Sequence, residues 1–113
     1  RTSMLYDAWP GKVANDMAEI QDAIAAGDFD RLGRAAESNA LAMHATGLGA
    51  WPPVLFWLPE TVATLHRLWA LRAGGLRAYC TMDAGPNVKL LFLQDAEDTL
   101  RFHFPDLNVV APF

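Results

Sequence analysis

The residues with the clearest chemical potential lie in one short run, Thr81-Met82-Asp83-Ala84-Gly85-Pro86-Asn87-Val88-Lys89. Arg77 to Asp83 alternate as a strand does, so Tyr79, Thr81 and Asp83 share one face and Ala78, Cys80 and Met82 the other. Asp83 therefore stands where a strand yields to a turn, in which Gly85 permits close backbone approach and Pro86 fixes φ. A strand end followed by a short Gly loop is where a rigid scaffold can hold a charged group against a ligand. An Asp there also starts ordinary hairpin turns, and the residue pattern alone leaves both roles open. Ala84, Gly85, Pro86 and Asn87 form a candidate substrate-binding loop, offering backbone N–H groups to a phosphate except at Pro86. Lys89 alternates onto the face opposite Val88 and is within reach of an anion, but reads first as a solvated surface lysine.

A second group sits on a helix. Ser38 and Asn39 reach a substrate if that helix lines a cleft, and Asn39, on an otherwise apolar stripe, must find buried polar partners. Glu37 is expected to face solvent or a neighbouring helix. His44 reads as a histidine packed at the helix end and bonded to backbone. No second ligand stands four residues on, and His66 and His103 fall in separate elements, so no metal site is predicted. The lone Cys80 is placed on the inward strand face as a buried structural thiol, consistent with a reducing compartment. Ser3 has no base nearby in sequence and makes no case as a nucleophile.

The elements that must position these groups are legible from periodicity and punctuation. A first helix is predicted from near Pro10 to before Gly27, with Val13, Met17, Ile20 and Ile24 as its inward stripe and Asp16, Glu19 and Asp22 solvated. Asp28 caps a second, whose inner face carries Leu32, Ala36, Asn39, Ala40 and Met43. Trp51-Pro52-Pro53 stops it and Val54 to Leu58 runs extended. Pro59 opens a third helix, with Val62, Leu65, Leu68 and Trp69 buried and Gly74-Gly75 at its end. Leu76 to Met82 and Val88 to Leu93 form an antiparallel hairpin, the second strand reading as central because it is apolar on both faces. Asp95 is expected to cap a short fourth helix carrying Leu100 and Phe104, and Leu107 to Val110 to close the sheet. This order predicts an α+β fold, with helices on one face of a small, mainly antiparallel sheet.

The chain's 113 residues suffice for one domain with a single core, and 52% of them are apolar. A net charge of −4 excludes a nucleic-acid footprint but not one small anionic substrate. The longest apolar run, Val54 to Leu58, is far short of a membrane span, and a cytoplasmic location is expected. Trp51 and Trp57, flanking the prolines, are candidates for a homodimer contact.

Two words in this chain carry a family resemblance. Thr81 to Leu90, and Ala36-Glu37-Ser38-Asn39-Ala40-Leu41-Ala42-Met43-His44-Ala45-Thr46 followed by Trp51-Pro52-Pro53, resemble diphosphomevalonate decarboxylases. The spacing of Asn39 to Asp83 and the intervening Leu71-Arg72-x-Gly-Gly fit too, so the likeness runs from Thr2 to Leu93. That family belongs to the galactokinase, homoserine kinase, mevalonate kinase and phosphomevalonate kinase superfamily. The resemblance implies a ferredoxin-like C-terminal domain of a longer two-domain enzyme, with ATP and Mg2+ bound by an N-terminal domain this chain lacks. It implies that Asp83 orients or deprotonates a tertiary hydroxyl, which ATP phosphorylates and whose phosphate loss drives decarboxylation to isopentenyl diphosphate. No Gly/Ser-rich phosphate loop is present, so the 113-residue chain is expected to bind no ATP and to be inactive alone. A decarboxylase of phosphomevalonate, a relative that phosphorylates mevalonate at its 3-hydroxyl without decarboxylating, and a non-catalytic binding or dimerisation module are the alternative readings.

Overall fold

The protein is described by a computed structural model covering residues 4–110. Ser3 lies outside the described residues. A short 3-10 turn, Tyr6–Ala8, leads into α1, Trp9–Ala26, which has Pro10 in its first turn. Gly27, at φ 67°, ends α1 in the left-handed conformation that suits glycine. Asp28 then caps α2, Phe29–Leu48, accepting the Arg31 N–H at 3.1 Å. The two helices pack as an antiparallel hairpin, reinforced where Arg31 holds both oxygens of Glu19 at 2.9 and 2.8 Å.

The contact face of α1 differs from the predicted stripe. Met17 and Ile24 are 50% and 64% exposed, whereas Asp16 and Ala23 are buried. Ala23 is small enough to let α2 close in, and Asp16 is buried with its charge answered: Lys12 Nζ lies 3.0 Å from one oxygen and Asn39 Nδ2 3.1 Å from the other.

After an extended strap, α3 occupies Pro59–Ala73. The hairpin follows: β1, Ala78–Met82, pairs antiparallel with β2, Val88–Phe92, in a register that sets Cys80 against Leu90 and Met82 against Val88. A 3-10 turn at Gln94–Ala96 leads to α4, Glu97–His103. The Ala78, Cys80 and Met82 face of β1 meets Ala40 of α2, Leu65 and Leu68 of α3 and Leu100 of α4 in one core. Leu68 and Leu100 are fully buried, each stabilising the fold by about 1.5–3 kcal/mol. On the opposite face Tyr79 is covered by α2, where a Cβ on Gly33 would run into the ring and force it to shift.

The architecture is therefore α+β, with helices packed on a small antiparallel sheet as the element order predicts. Several details differ. Val62 lies on the outer side of α3, 40% exposed. Asp95 sits inside the 3-10 turn and caps nothing, since neither that turn nor α4 has a side-chain cap. Residues 107–110 form no strand: a turn closes from Leu107 N–H to Phe104 O, and the segment has no ladder partner among the described residues. Consequently β2 is an edge strand here, not a central one. No helix among the described residues is long and apolar enough to cross a membrane.

Candidate functional site

Strand pairing ends at Met82–Val88, and the next residue, Asp83, turns outward. Its carboxylate keeps 79% of its surface exposed and meets Lys89 Nζ at 2.7 Å from Oδ2. Lys89, paired across the ladder with Thr81, is a surface cation, 61% exposed, that meets Asp83 at this contact. Solvent screening leaves such a pair little stabilising energy.

Behind the carboxylate, the loop is fastened. The Asp83 carbonyl accepts the Gly85 N–H at 2.8 Å and His44 Nε2–H at 2.9 Å. A carbonyl only accepts, so Nε2 of His44 carries the proton. His44 is buried on α2, its ring 5.3 Å from that of Trp57 and 5.9 Å from Phe56, as the sequence reading of a packed, backbone-bonded histidine anticipates. At the loop's far side the Thr61 hydroxyl donates to Pro86 O at 2.7 Å while accepting Leu58 N–H at 3.1 Å. Gly85 itself needs no glycine conformation: its φ is not positive, and an added Cβ would meet nothing within 4 Å.

Two hollows border this region. A groove of about 920 Å³ runs between α3, β2 and residues 103–110, with Thr61, Pro86, Asn87 and Lys89 on its wall. Asp83 is not on the wall of that groove and is linked to it through Lys89. A smaller hollow of about 350 Å³ is walled by Arg34, Glu37, Ser38, Leu41, Arg72 and Tyr79. Ser38 lines that second hollow, where Lys12 reaches its Oγ at 2.7 Å, while Asn39 is not on its wall and donates to Asp16. Among the described residues no hydrogen bond joins Ser38 or Asn39 to the Asp83 loop, so the structure gathers Asp83, Ala84, Gly85, Pro86 and Asn87 but not the helix pair with them.

Glu37 faces the neighbouring helix α3, one of the two surroundings expected for it, but is buried there. Its carboxylate meets Arg72 at 2.8 and 2.7 Å, Trp69 Nε1 at 3.1 Å and the Cys80 N–H at 3.0 Å. Burial pushes its carboxyl up, but the Arg72, Cys80 and Trp69 hydrogen bonds outweigh that and leave it below the ordinary glutamate value. By locking α2 and α3 to the outer edge of β1, Glu37 fixes the strand that ends in Asp83. The neighbouring Cys80 thiol is pushed up to about 12, mainly by burial and further by Glu37, which makes it a structural group rather than a nucleophile.

Among the described residues no three His, Cys, Asp or Glu side chains converge as ligands. The residues preceding α2, α3 and α4 are Asp28, Leu58 and Ala96, and none is part of a glycine-rich phosphate cradle.

Against this geometry, the comparisons with known proteins agree closely. Residues 1–105 match the family model of the mevalonate 5-diphosphate decarboxylase C-terminal domain. A mevalonate diphosphate decarboxylase structure from Enterococcus faecalis superposes with a TM-score of 0.87 at 39% identity, over 93% of this chain and 33% of that one. The enzyme from Staphylococcus aureus gives 0.86 at 36% identity, over 95% of this chain and 33% of that one. Diphosphomevalonate decarboxylase of Aspergillus fumigatus is 29% identical over 82% of this chain and 24% of its own length. The chain thus spans between a quarter and a third of the relatives it matches.

Proposed function

Because the chain belongs to the mevalonate 5-diphosphate decarboxylase C-terminal domain family, we propose that it forms part of an ATP-dependent decarboxylase acting on diphosphomevalonate in the mevalonate pathway, with Asp83 as its catalytic carboxylate. Asp83 would accept a hydrogen bond from the substrate's tertiary hydroxyl and hold that crowded, weak nucleophile in line for phosphorylation. Proximity and orientation are the larger part of this service. The observation that carries the reading is the outward carboxylate of Asp83, paired with Lys89 at 2.7 Å and fastened from behind through its own carbonyl. Ala84, Gly85, Pro86 and Asn87 form the substrate-facing loop in this reading. Ser38 and Asn39, bound to Lys12 and Asp16, are assigned a supporting place away from that loop.

ATP and Mg2+ would be held by polypeptide outside this chain, given that the residues here do not fit them. The structure of the related MDDEF in complex with MVAPP, AMPPCP and magnesium, 39% identical to this chain, supports that cofactor pair. A cytoplasmic setting is supported by the single reduced, buried Cys80. A homodimer is supported by the apolar strap, where Trp51 is 73% exposed while Trp57 is turned in on His44. Light scattering of the full polypeptide tests that contact, with Trp51→Ser expected to shift the mass from dimer to monomer.

Release of carbon dioxide from diphosphomevalonate by the full polypeptide is the direct assay. Asp83→Asn is expected to lower turnover by about three orders of magnitude while leaving thermal unfolding unchanged. Wild-type turnover in that variant removes Asp83 from the mechanism.

A further inference from the structure

The Asp83 loop is gripped from the protein interior at two points, and both grips act on main-chain oxygens. His44 Nε2–H meets Asp83 O at 2.9 Å, and the Thr61 hydroxyl meets Pro86 O at 2.7 Å. Both donor side chains are at most 5% exposed, and each reaches out to a carbonyl at the protein surface in a part-buried bond. Each is itself constrained. The His44 ring is packed against Trp57 and Phe56, and Thr61 Oγ1 is oriented by the Leu58 N–H it accepts at the start of α3. The two grips arise from different helices, α2 and α3, and bracket the turn at its first and fourth residues.

We infer that His44 and Thr61 are positioning residues: together they set where the Asp83 carboxylate sits, without touching substrate themselves. This rests on the reading of Asp83 as the catalytic carboxylate. Burial distinguishes this arrangement from an ordinary turn. The turn already closes locally through Gly85 N–H on Asp83 O at 2.8 Å, and needs no second donor to form. A buried imidazole and a buried hydroxyl aimed at the same turn add rigidity that folding of the hairpin does not require. A carboxylate displaced by about 1 Å loses on the order of a hundredfold in rate, so the effect belongs in turnover rather than in substrate affinity.

The test uses the full polypeptide that carries this chain, with diphosphomevalonate as substrate. His44→Leu fills the ring's space without a donor, and Thr61→Val is isosteric without a hydroxyl. Each is expected to lower kcat by ten- to a hundredfold with KM changed less than threefold. His44→Gln places an amide N–H near the Nε2 position, and Thr61→Ser keeps the hydroxyl; both are expected within about threefold of wild-type kcat. In an Asp83→Asn background, His44→Leu should change the residual rate less than twofold, because the residue acts through Asp83. A merely structural role would give the same loss in both backgrounds, and that result overturns the inference. Turnover within twofold of wild type in folded His44→Leu and Thr61→Val, with Asp83→Asn inactive, overturns the tethers alone. Wild-type turnover in Asp83→Asn overturns the assignment of Asp83 and the tethers with it. Should His44→Leu fail to fold, the inference stands or falls on Thr61→Val and the single-variant outcomes just given.

Discussion

Replacing Glu37 by Gln should destabilise the protein by about 2–3 kcal/mol. Glu37 receives four hydrogen bonds, two from Arg72 at 2.8 and 2.7 Å, one from Trp69 at 3.1 Å and one from the Cys80 N–H at 3.0 Å. An amide keeps a single acceptor oxygen, and its NH2 must turn toward at least one of those donors. Removing one charge from a buried pair costs roughly 3–5 kcal/mol. The Arg72 side chain retains 29% of its surface in water, which brings the expected loss down to about 2–3 kcal/mol. In heat this is a fall of about 8–15 °C. Urea unfolding followed by tryptophan fluorescence measures it well, because Trp69 touches the altered group. The pH dependence has a definite sign. A carboxyl held below its ordinary value in the folded state stabilises fully above its unfolded value, about 4.3, and loses that contribution as pH falls through the lower folded value. The gap between wild type and Glu37→Gln should be level from neutral pH down to about 5.5 and narrow below about 4.5. A gap under about 0.5 kcal/mol at pH 7, or one that widens in acid, refutes the argument.

Gly33→Ala must push the Tyr79 ring off Phe29 and Asp30, and a loss of about 1–3 kcal/mol is expected in urea unfolding. Gly11→Ala is its control: the added methyl meets nothing within 4 Å, and stability should rise by up to about 1 kcal/mol. Leu68→Ala, at a fully buried position, should lose about 2–5 kcal/mol by the same measurement, and a loss under about 1 kcal/mol would deny the site its place in the core. Cys80 should resist iodoacetamide at pH 8 in the native protein and react once the chain is unfolded in urea, since burial and Glu37 push its thiol up to about 12. Rapid native labelling would contradict that environment.

What could be read without coordinates divides by the range of the signal. Helix boundaries were accessible because their causes are local: Pro10, Gly27, Asp28, Pro59 and Gly74 act within a turn of themselves. The Asp83 turn was accessible for the same reason, as alternation gives out at a Gly-Pro pair. The burial of Asp16 and Glu37 was not. Their partners stand 23 and 35 residues away, and only packing of one helix on another decides that Asn39 and Arg72 arrive there. Periodicity chose Met17 and Ile24 over Asp16 because it counts carbon and cannot see a charge about to be neutralised. The expected strand at 107–110 has the right residues but no neighbour to complete a ladder. In the candidate site, Asp83 and its loop were named from sequence, whereas the fastening by Thr61 was not, because a threonine in the first turn of a helix reads as a helix-start residue and nothing more.

Any amino acid brings the same peptide oxygen to positions 83 and 86, so the interior bonds on those atoms are indifferent to side-chain identity at the tip. Gly85 has open space where a methyl would go, and Ala84 and Asn87 are exposed. Mutational drift or laboratory selection can therefore change the side chains of the tip while its footing stays where it is, which makes 84, 85 and 87 the natural positions to randomise in a library.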